Sequence, residues 1–445
     1  MDTSIAMTLQ GMRITATVLL SWLLTMPVAS AMPAIQHWVT DNGARVYFVA
    51  APELPMVDIN VTFAAGSVRD DGHAGLANMT STLLDMGAAG LSADEISTRA
   101  ESLGAELGTG SARDMAWIWL RSLSDAGNLQ PALQLLADVN NRPDFNKKDF
   151  DRERERTLVA IRRSEQSPAT VAGYTFFSMA YGDHPYASRP AGTLESVATL
   201  EPDQVRAFYK QYYVARNAVF SIVGDLDRKA AEQLVEQVIE DLPAGKRAPA
   251  VVPVAALTKA LEQHVYHPST QTHVRMGAPG MHRGDPDYFT LYVGNHILGG
   301  GGLVSRLFEE VREKRGLSYS VSSHFSPMEQ DGPYLFSLQT RNDQVDESLV
   351  VMRKTLQDYV DRGPTEKELL ASKKNITGGF PLRIASNSSI LDYLNVIGFY
   401  DLPLDYLEVF NDRIMAVTRE QIIDVFQRRV SPDTMTTVIV GGDSG

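Results

Sequence analysis

The chain has 445 residues, 44% of them hydrophobic, which is enough for sizeable cores in two or three domains. Lys and Arg number 41 against 54 Asp and Glu, a net charge of -13, and no basic cluster is dense enough to follow a phosphate backbone, which excludes nucleic acid as a natural partner. Cysteine is absent, which removes disulfides, thiol nucleophiles and thiolate metal ligands.

In residues 1–31, Arg13 precedes the apolar run ITATVLLSWLLTMPV, which ends at Ala29-Ser30-Ala31. This pattern predicts a secretory signal peptide cleaved after Ala31, starting at Met1 or Met12, whereas a membrane anchor needs roughly 20 apolar residues. Export without cysteines fits a periplasmic location with no membrane association after cleavage. The segment WVTDNGARVYFVA reads as a hairpin turning at Asp41-Asn42-Gly43, and MVDINVTFAAG reads as another strand. Helices are predicted from about Ala74, Ala93 and Asn128. The Pro/Ala-rich stretch LPAGKRAPAVVPVAA has neither helical nor strand period. It divides the mature chain into domains 32–242 and 257–445, with a linker at 243–256.

The second half repeats the first. Leu200–Gly224 (LEPDQVRAFYKQYYVARNAVFSIVG) aligns without a gap on Val417–Gly441 (VTREQIIDVFQRRVSPDTMTTVIVG), 217 positions later. Each copy reads as a helix followed by a strand, the first opened by Pro202 and the second by the capping box Thr418/Gln421. Upstream, DAGNLQPALQLLADVNNRPDFNKKDFDRERER is similar to NDQVDESLVVMRKTLQDYVDRGPTEKELLASKKN, a helix, a proline turn and a charged helix. The fold class is therefore α+β: a duplicated unit of two homologous lobes, each a largely antiparallel sheet packed with helices, with a clamshell cleft as the natural ligand site.

Few histidines have metal-ligand spacing. His73 lies in a glycine-bounded turn, and His264 and His267 fall in a predicted strand, where i and i+3 point to opposite faces. No G-x-S-x-G elbow occurs. The run Gly299-Gly300-Gly301-Gly302 is followed by no Lys-Ser/Thr and is not a phosphate loop. It either lets a backbone approach a peptide closely or permits a tight turn between helices.

The motifs GSVRDDGHAGLAN, HPYASRPAGTLESVATL and ILGGGGLVSRLFEEVREKRGLSYSV, with the paired strand endings at Gly224 and Gly441, resemble the pitrilysin and mitochondrial processing peptidase family of inverted-motif zinc peptidases over essentially the whole mature chain. In that family H-x-x-E-H follows Gly-Leu-Ala at a helix start. Two histidines at i and i+4 hold Zn²⁺, the Glu between them is the general base, and a downstream Glu is the third protein ligand. Here those positions hold Asn78, Ser81 and Thr82. The downstream motif E-R-x-x-x-x-x-E is matched by ERTLVAIR, with Glu155 first and Arg162, which stays protonated, at the ligand position. The resemblance thus implies a degenerate site: no metal and no catalytic residue in this chain.

Family members also use an Arg and a Tyr of the second repeat to bind the substrate backbone, and these match Arg312 and Tyr319. A helix over Val304–Arg315 burying Leu307, Phe308 and Val311, closed by Gly316 and followed by a strand from Leu317, lets the two meet across the corner. On spacing alone, Arg312 balancing the helix dipole and Tyr319 covering a sheet edge is the competing reading. The resemblance assigns substrate binding to Arg312, Tyr319 and the glycines at 299–302. It implies a non-catalytic partner subunit of a periplasmic heterodimeric zinc peptidase acting on extended peptides, with the zinc in the partner. The other readings are a stand-alone peptide-binding or chaperone-like protein, and a zinc peptidase with unorthodox ligands.

Overall fold

The computed structural model describes residues 34–442, so the segment read as a signal peptide lies outside the described residues. The first hairpin forms at the Asp41-Asn42-Gly43 turn, where Gly43 takes φ +98°. Strands β1 (Gln36–Val39), β2 (Arg45–Ala50) and β3 (Met56–Phe63) are followed by a two-stranded hairpin of β4 (Gly87–Ala88) and β5 (Leu91–Ser92), then by β6 (Glu106–Ser111), β7 (Ala116–Leu123) and β8 (Ala218–Gly224). The first sheet runs β1-β2-β8-β3-β7-β6. The second is built from β9 (Leu261–Tyr266), β10 (Gln271–Met281), β11 (Ser320–Phe325), β12 (Gly332–Arg341) and β13 (Thr436–Gly441), in the order β11-β12-β10-β13-β9.

Read from the one parallel pair in each, β2/β8 and β9/β13, the orders coincide: β2-β8-β3-β7-β6 and β9-β13-β10-β12-β11. The duplication in the sequence is thus a duplication of topology. The helices follow it too: α1 (Leu76–Leu83), α2 (Ala126–Asn141), α3 (Lys147–Ser164), α4 (Pro168–Tyr181) and α5 (Pro202–Tyr212) in the first repeat, and α6 (Val345–Arg362), α7 (Glu366–Arg383), α8 (Asn387–Phe399) and α9 (Arg419–Arg429) in the second. Helices α5 and α9 start and end 217 positions apart. Pro202 opens α5, and the Thr418/Gln421 capping box opens α9, with reciprocal bonds of 2.8 and 3.2 Å. Among the described residues no helix is long and apolar enough to cross a membrane.

The two repeats exchange a helix. Helix α4, from the first, lies on β10 and β13 of the second sheet, where Ala172, Phe176 and Ala180 are buried with Leu335, Val438 and Val440. Helix α8, from the second, lies on β2, β3 and β8 of the first sheet. Gly398 makes that approach possible, because a Cβ there would sit 2.6 Å from Val219 and 2.7 Å from Tyr47.

A buried carboxylate ties the exchange together. Asp114, 3% exposed on the β6–β7 turn, accepts from the Tyr186 hydroxyl after α4 (2.7 Å), the Tyr400 hydroxyl after α8 (2.9 Å) and the Glu329 N–H between β11 and β12 (2.8 Å). Gln330 N–H donates in turn to the Tyr186 oxygen, 3.1 Å. Residues 243–256 carry no helix or strand yet are pinned: the N–H groups of Ala215 and Arg216 donate to Pro243 and Ala244, and that of Val251 to Glu329 Oε1.

Candidate functional site

The emptied motif lies on α1. Its N-terminus is held from the preceding loop: Gly75 takes φ +96°, and the Asp70 carboxyl accepts the N–H groups of Gly75 (2.9 Å) and Ala77 (2.8 Å). Burial pushes the Asp70 pKa up to about 7 against those two donors. The HPYASRPAGTLESVATL segment braces the same turn. Ser196 Oγ donates to Ala74 O at 2.7 Å, and Gly192 packs so closely that a Cβ would sit 2.6 Å from that carbonyl. The geometry around the helix start is intact.

What that frame carries has no metal chemistry. Asn78, half-buried, donates through Nδ2 to Ser111 Oγ, 3.3 Å away on the edge strand β6. Ser81 is buried beside the fully buried Tyr213 hydroxyl, and Thr82 is half-buried. An amide and two hydroxyls do not fit a zinc ion, which takes neutral imidazole, thiolate or carboxylate. His73 is exposed and sits by Gln204 Nε2 at 3.2 Å. His264 pairs with Glu262 at 3.2 Å on the exposed strand β9.

Helix α3 corrects the reading of the third ligand position. Its sequence contains two consecutive E-R pairs, Glu153-Arg154 and Glu155-Arg156, and the structure favours the earlier one. Glu153 is buried and faces Asp85, just after α1, and Arg152 Nη2 reaches Met86 Sδ at 3.5 Å. Burial first, then the Glu153 charge, pushes the Asp85 pKa up to about 6. All three of Glu155, Ala160 and Arg162 are exposed, but at 100° per residue Ala160 shares the Glu153 face, whereas Glu155 and Arg162 lie about half a turn away. The position facing α1 is therefore Ala160, not Arg162, and a methyl group cannot bind metal.

The second-repeat pair does meet. The Arg312 guanidinium lies 4.9 Å from the Tyr319 ring centroid and 4.8 Å from that of Phe308, and Tyr319 is 77% exposed. The helix supporting Arg312 departs from the expected form: a 3₁₀ turn at Gly302–Val304, then a π-helical stretch at Phe308–Glu313, with Leu307, Phe308 and Val311 buried. Strand β11 starts at Ser320 rather than Leu317, because the intervening residues close the helix. Gly316 N–H returns to Arg312 O (2.8 Å), Leu317 N–H to Val311 O (3.0 Å), and the Ser318 hydroxyl bonds the carbonyls of Ser320 and Gln339. Tyr319 is left projecting from this corner. In the 3₁₀ turn that precedes the Arg312 helix, Leu303 and Val304 are 73% and 77% exposed.

The glycine run divides. Gly299 is buried against β11, where a Cβ would lie 2.3 Å from Ser323 Oγ, so its role is helix-to-strand packing and not peptide contact. Gly302, at φ +62° with open space around it, makes the turn. Among the described residues one trio of metal-capable side chains converges, His282, Asp285 and Asp331, in the second repeat. Its buried member, Asp285, is already engaged by Arg429 at 2.7 Å, which holds its carboxyl below the usual range against the effect of burial. Nothing in the sequence pointed to Asp114, Tyr186 or Tyr400, since a lone acid in a turn and isolated tyrosines carry no periodic signal.

The family described as peptidase M16 inactive domain matches residues 199–376, and that described as insulinase, peptidase family M16, matches residues 45–193. Among solved structures, a peptidase M16 inactive domain from Pseudomonas fluorescens is 39% identical, covering 92% of this chain and 98% of that one at a TM-score of 0.89. Among curated proteins, an uncharacterized zinc protease of Streptomyces coelicolor is 27% identical over 89% of this chain and 88% of its own. The non-peptidase homolog YmxG of Helicobacter pylori is 25% identical, over 87% and 89%.

Proposed function

Since the chain belongs to peptidase family M16 and its α1 frame holds no metal-binding side chain, we propose that it is the non-catalytic, peptide-binding partner subunit of a periplasmic heterodimeric zinc peptidase. The observation that carries this reading is the contrast between the two repeats. The positions that would bind metal are Asn78, Thr82 and Ala160, while Arg312 and Tyr319 stand together at an exposed corner. A guanidinium and a phenolic hydroxyl both donate to a peptide carbonyl, and neither needs to exchange a proton to do so. Their part is to position the carbonyl opposite the metal-bearing subunit.

The sheet edges fit the same substrate class. Strand β6 is the last of its sheet, beside α1, and its Gly108 and Gly110 lie under the rings of Trp119 and Trp117. An extended peptide can pair with such an open edge through main-chain bonds alone. In a mixture with a zinc-bearing homologue, Arg312→Ala should lower kcat/KM about tenfold or more, the worth of a charged hydrogen bond. Tyr319→Phe should lower it less, and unchanged rates for both would remove the role. A stand-alone peptide-binding protein, the second reading, binds unfolded peptide without a partner and activates no homologue.

A further inference from the structure

The second sheet turns a polar, cationic patch outward. Antiparallel register places Arg275 of β10 opposite Ser337 of β12, and Ser337 opposite Ser322 of β11, so the three form one cross-strand row. The row on one side is His273, Gln339 and Ser320; on the other, His324 stands on β11 two residues beyond Ser322. All of these lie on the face that α4 packs against through Val438, Val440 and Leu335, and all are half-buried or exposed.

In a chain of net charge -13, no carboxylate among the described residues pairs with Arg275. Burial alone lowers the Arg275 pKa, with no carboxylate to raise it back, and its hydrogen bond is a long one, 3.4 Å to Val274 O. His273 and His324 are both pushed down, first by burial and then by Arg275. A guanidinium held at a half-buried position without an acid is costly unless a ligand supplies one. Tyr319 directly precedes Ser320, so the patch begins where the Arg312/Tyr319 corner ends.

We infer that the row Arg275–Ser337–Ser322, flanked by His273 and His324, is a carboxylate-recognition platform that selects peptides carrying an acidic side chain or a free C-terminus. The inference rests on the peptide-binding reading above and names its substrate class. The fork of Arg275 suits a planar carboxylate, and the serine hydroxyls and neutral imidazoles add donors around it. The carboxylate lies across the sheet surface, leaving the carbonyl-binding corner free.

The test uses the full chain, alone and with a zinc-bearing homologue whose general base has been replaced. Three labelled unstructured peptides are titrated by fluorescence anisotropy: one with a central glutamate and an amidated end, its glutamine twin, and the twin with a free C-terminus. One or both acidic peptides should bind about tenfold tighter than the neutral twin, and Arg275→Gln should erase the difference while Arg275→Lys keeps part of it. The winning peptide identifies the source of the carboxylate. Equal binding of all three, or a preference that survives Arg275→Gln in a variant that melts like the parent, overturns the platform and leaves the peptide-binding reading standing. Failure of every peptide to bind, alone and in the mixture, overturns both.

Discussion

Replacing Asp114 with alanine should destabilise the chain by about 4 kcal/mol, the cost of leaving three buried donors without an acceptor. The donors come from three places: the turn after α4, the turn after α8 and the β11–β12 loop. Helix α8 is thereby fastened to the opposite repeat just past its C-terminal end, and α4 joins the same node through Tyr186, whose oxygen also accepts the Gln330 N–H of the second repeat. Because α4 completes the second core and α8 covers the first sheet, neither repeat is finished by its own residues. Urea unfolding of the Asp114→Ala variant should therefore remain one transition with a lowered midpoint. Two separated transitions, one per half, would mean that the repeats fold independently and that the helix exchange contributes little. Asp114→Asn should fall between, since an amide oxygen still accepts but its nitrogen meets a second donor.

The second large effect concerns the emptied site. Adding Asn78→His and Thr82→His restores two imidazoles at i and i+4 on α1, whose N-terminal frame is already built. The third ligand decides whether metal binds. With Ala160→Glu the carboxylate stands on the Glu153 face beside α1; with Arg162→Glu it points about half a turn away around α3. Full structural zinc sites are worth roughly 10–16 kcal/mol over four ligands, so one ligand carries about 3 kcal/mol, or about a hundredfold in affinity. Zinc titration against a competing chelator should rank the Ala160→Glu triple variant above the Arg162→Glu triple variant by about that factor. Equal affinities would mean that the register of α3 has been misassigned.

Local chemistry made much of this legible. The Thr418/Gln421 box, Pro202, the Asp41-Asn42-Gly43 turn and the 217-position repeat all depend on residues close in sequence or on plain self-similarity, and each has its element. The Arg312/Tyr319 contact was readable because Gly316 closes a helix between them. The helix exchange was not. Apolar positions such as Phe176 announce burial on α4 but not which sheet they are buried against, and the partner strands β10 and β13 lie roughly 100 and 260 residues further along the chain. The α3 register failed for a related reason: in RERER a two-residue slip keeps the motif and turns the helix by about 200°. Gly299 misled because a glycine required by close packing looks, in sequence, the same as one that admits a ligand.

The proposed role of this chain is to supply substrate binding, and no metal chemistry, to a peptidase. Its most direct test is peptidase activity toward an unstructured peptide, with metal content, for the purified chain alone and after co-expression with a same-length homologue bearing an intact H-x-x-E-H. The account predicts an inert, zinc-free chain, and activity in the mixture with one zinc per heterodimer. Zinc-dependent activity from the purified chain alone would contradict it.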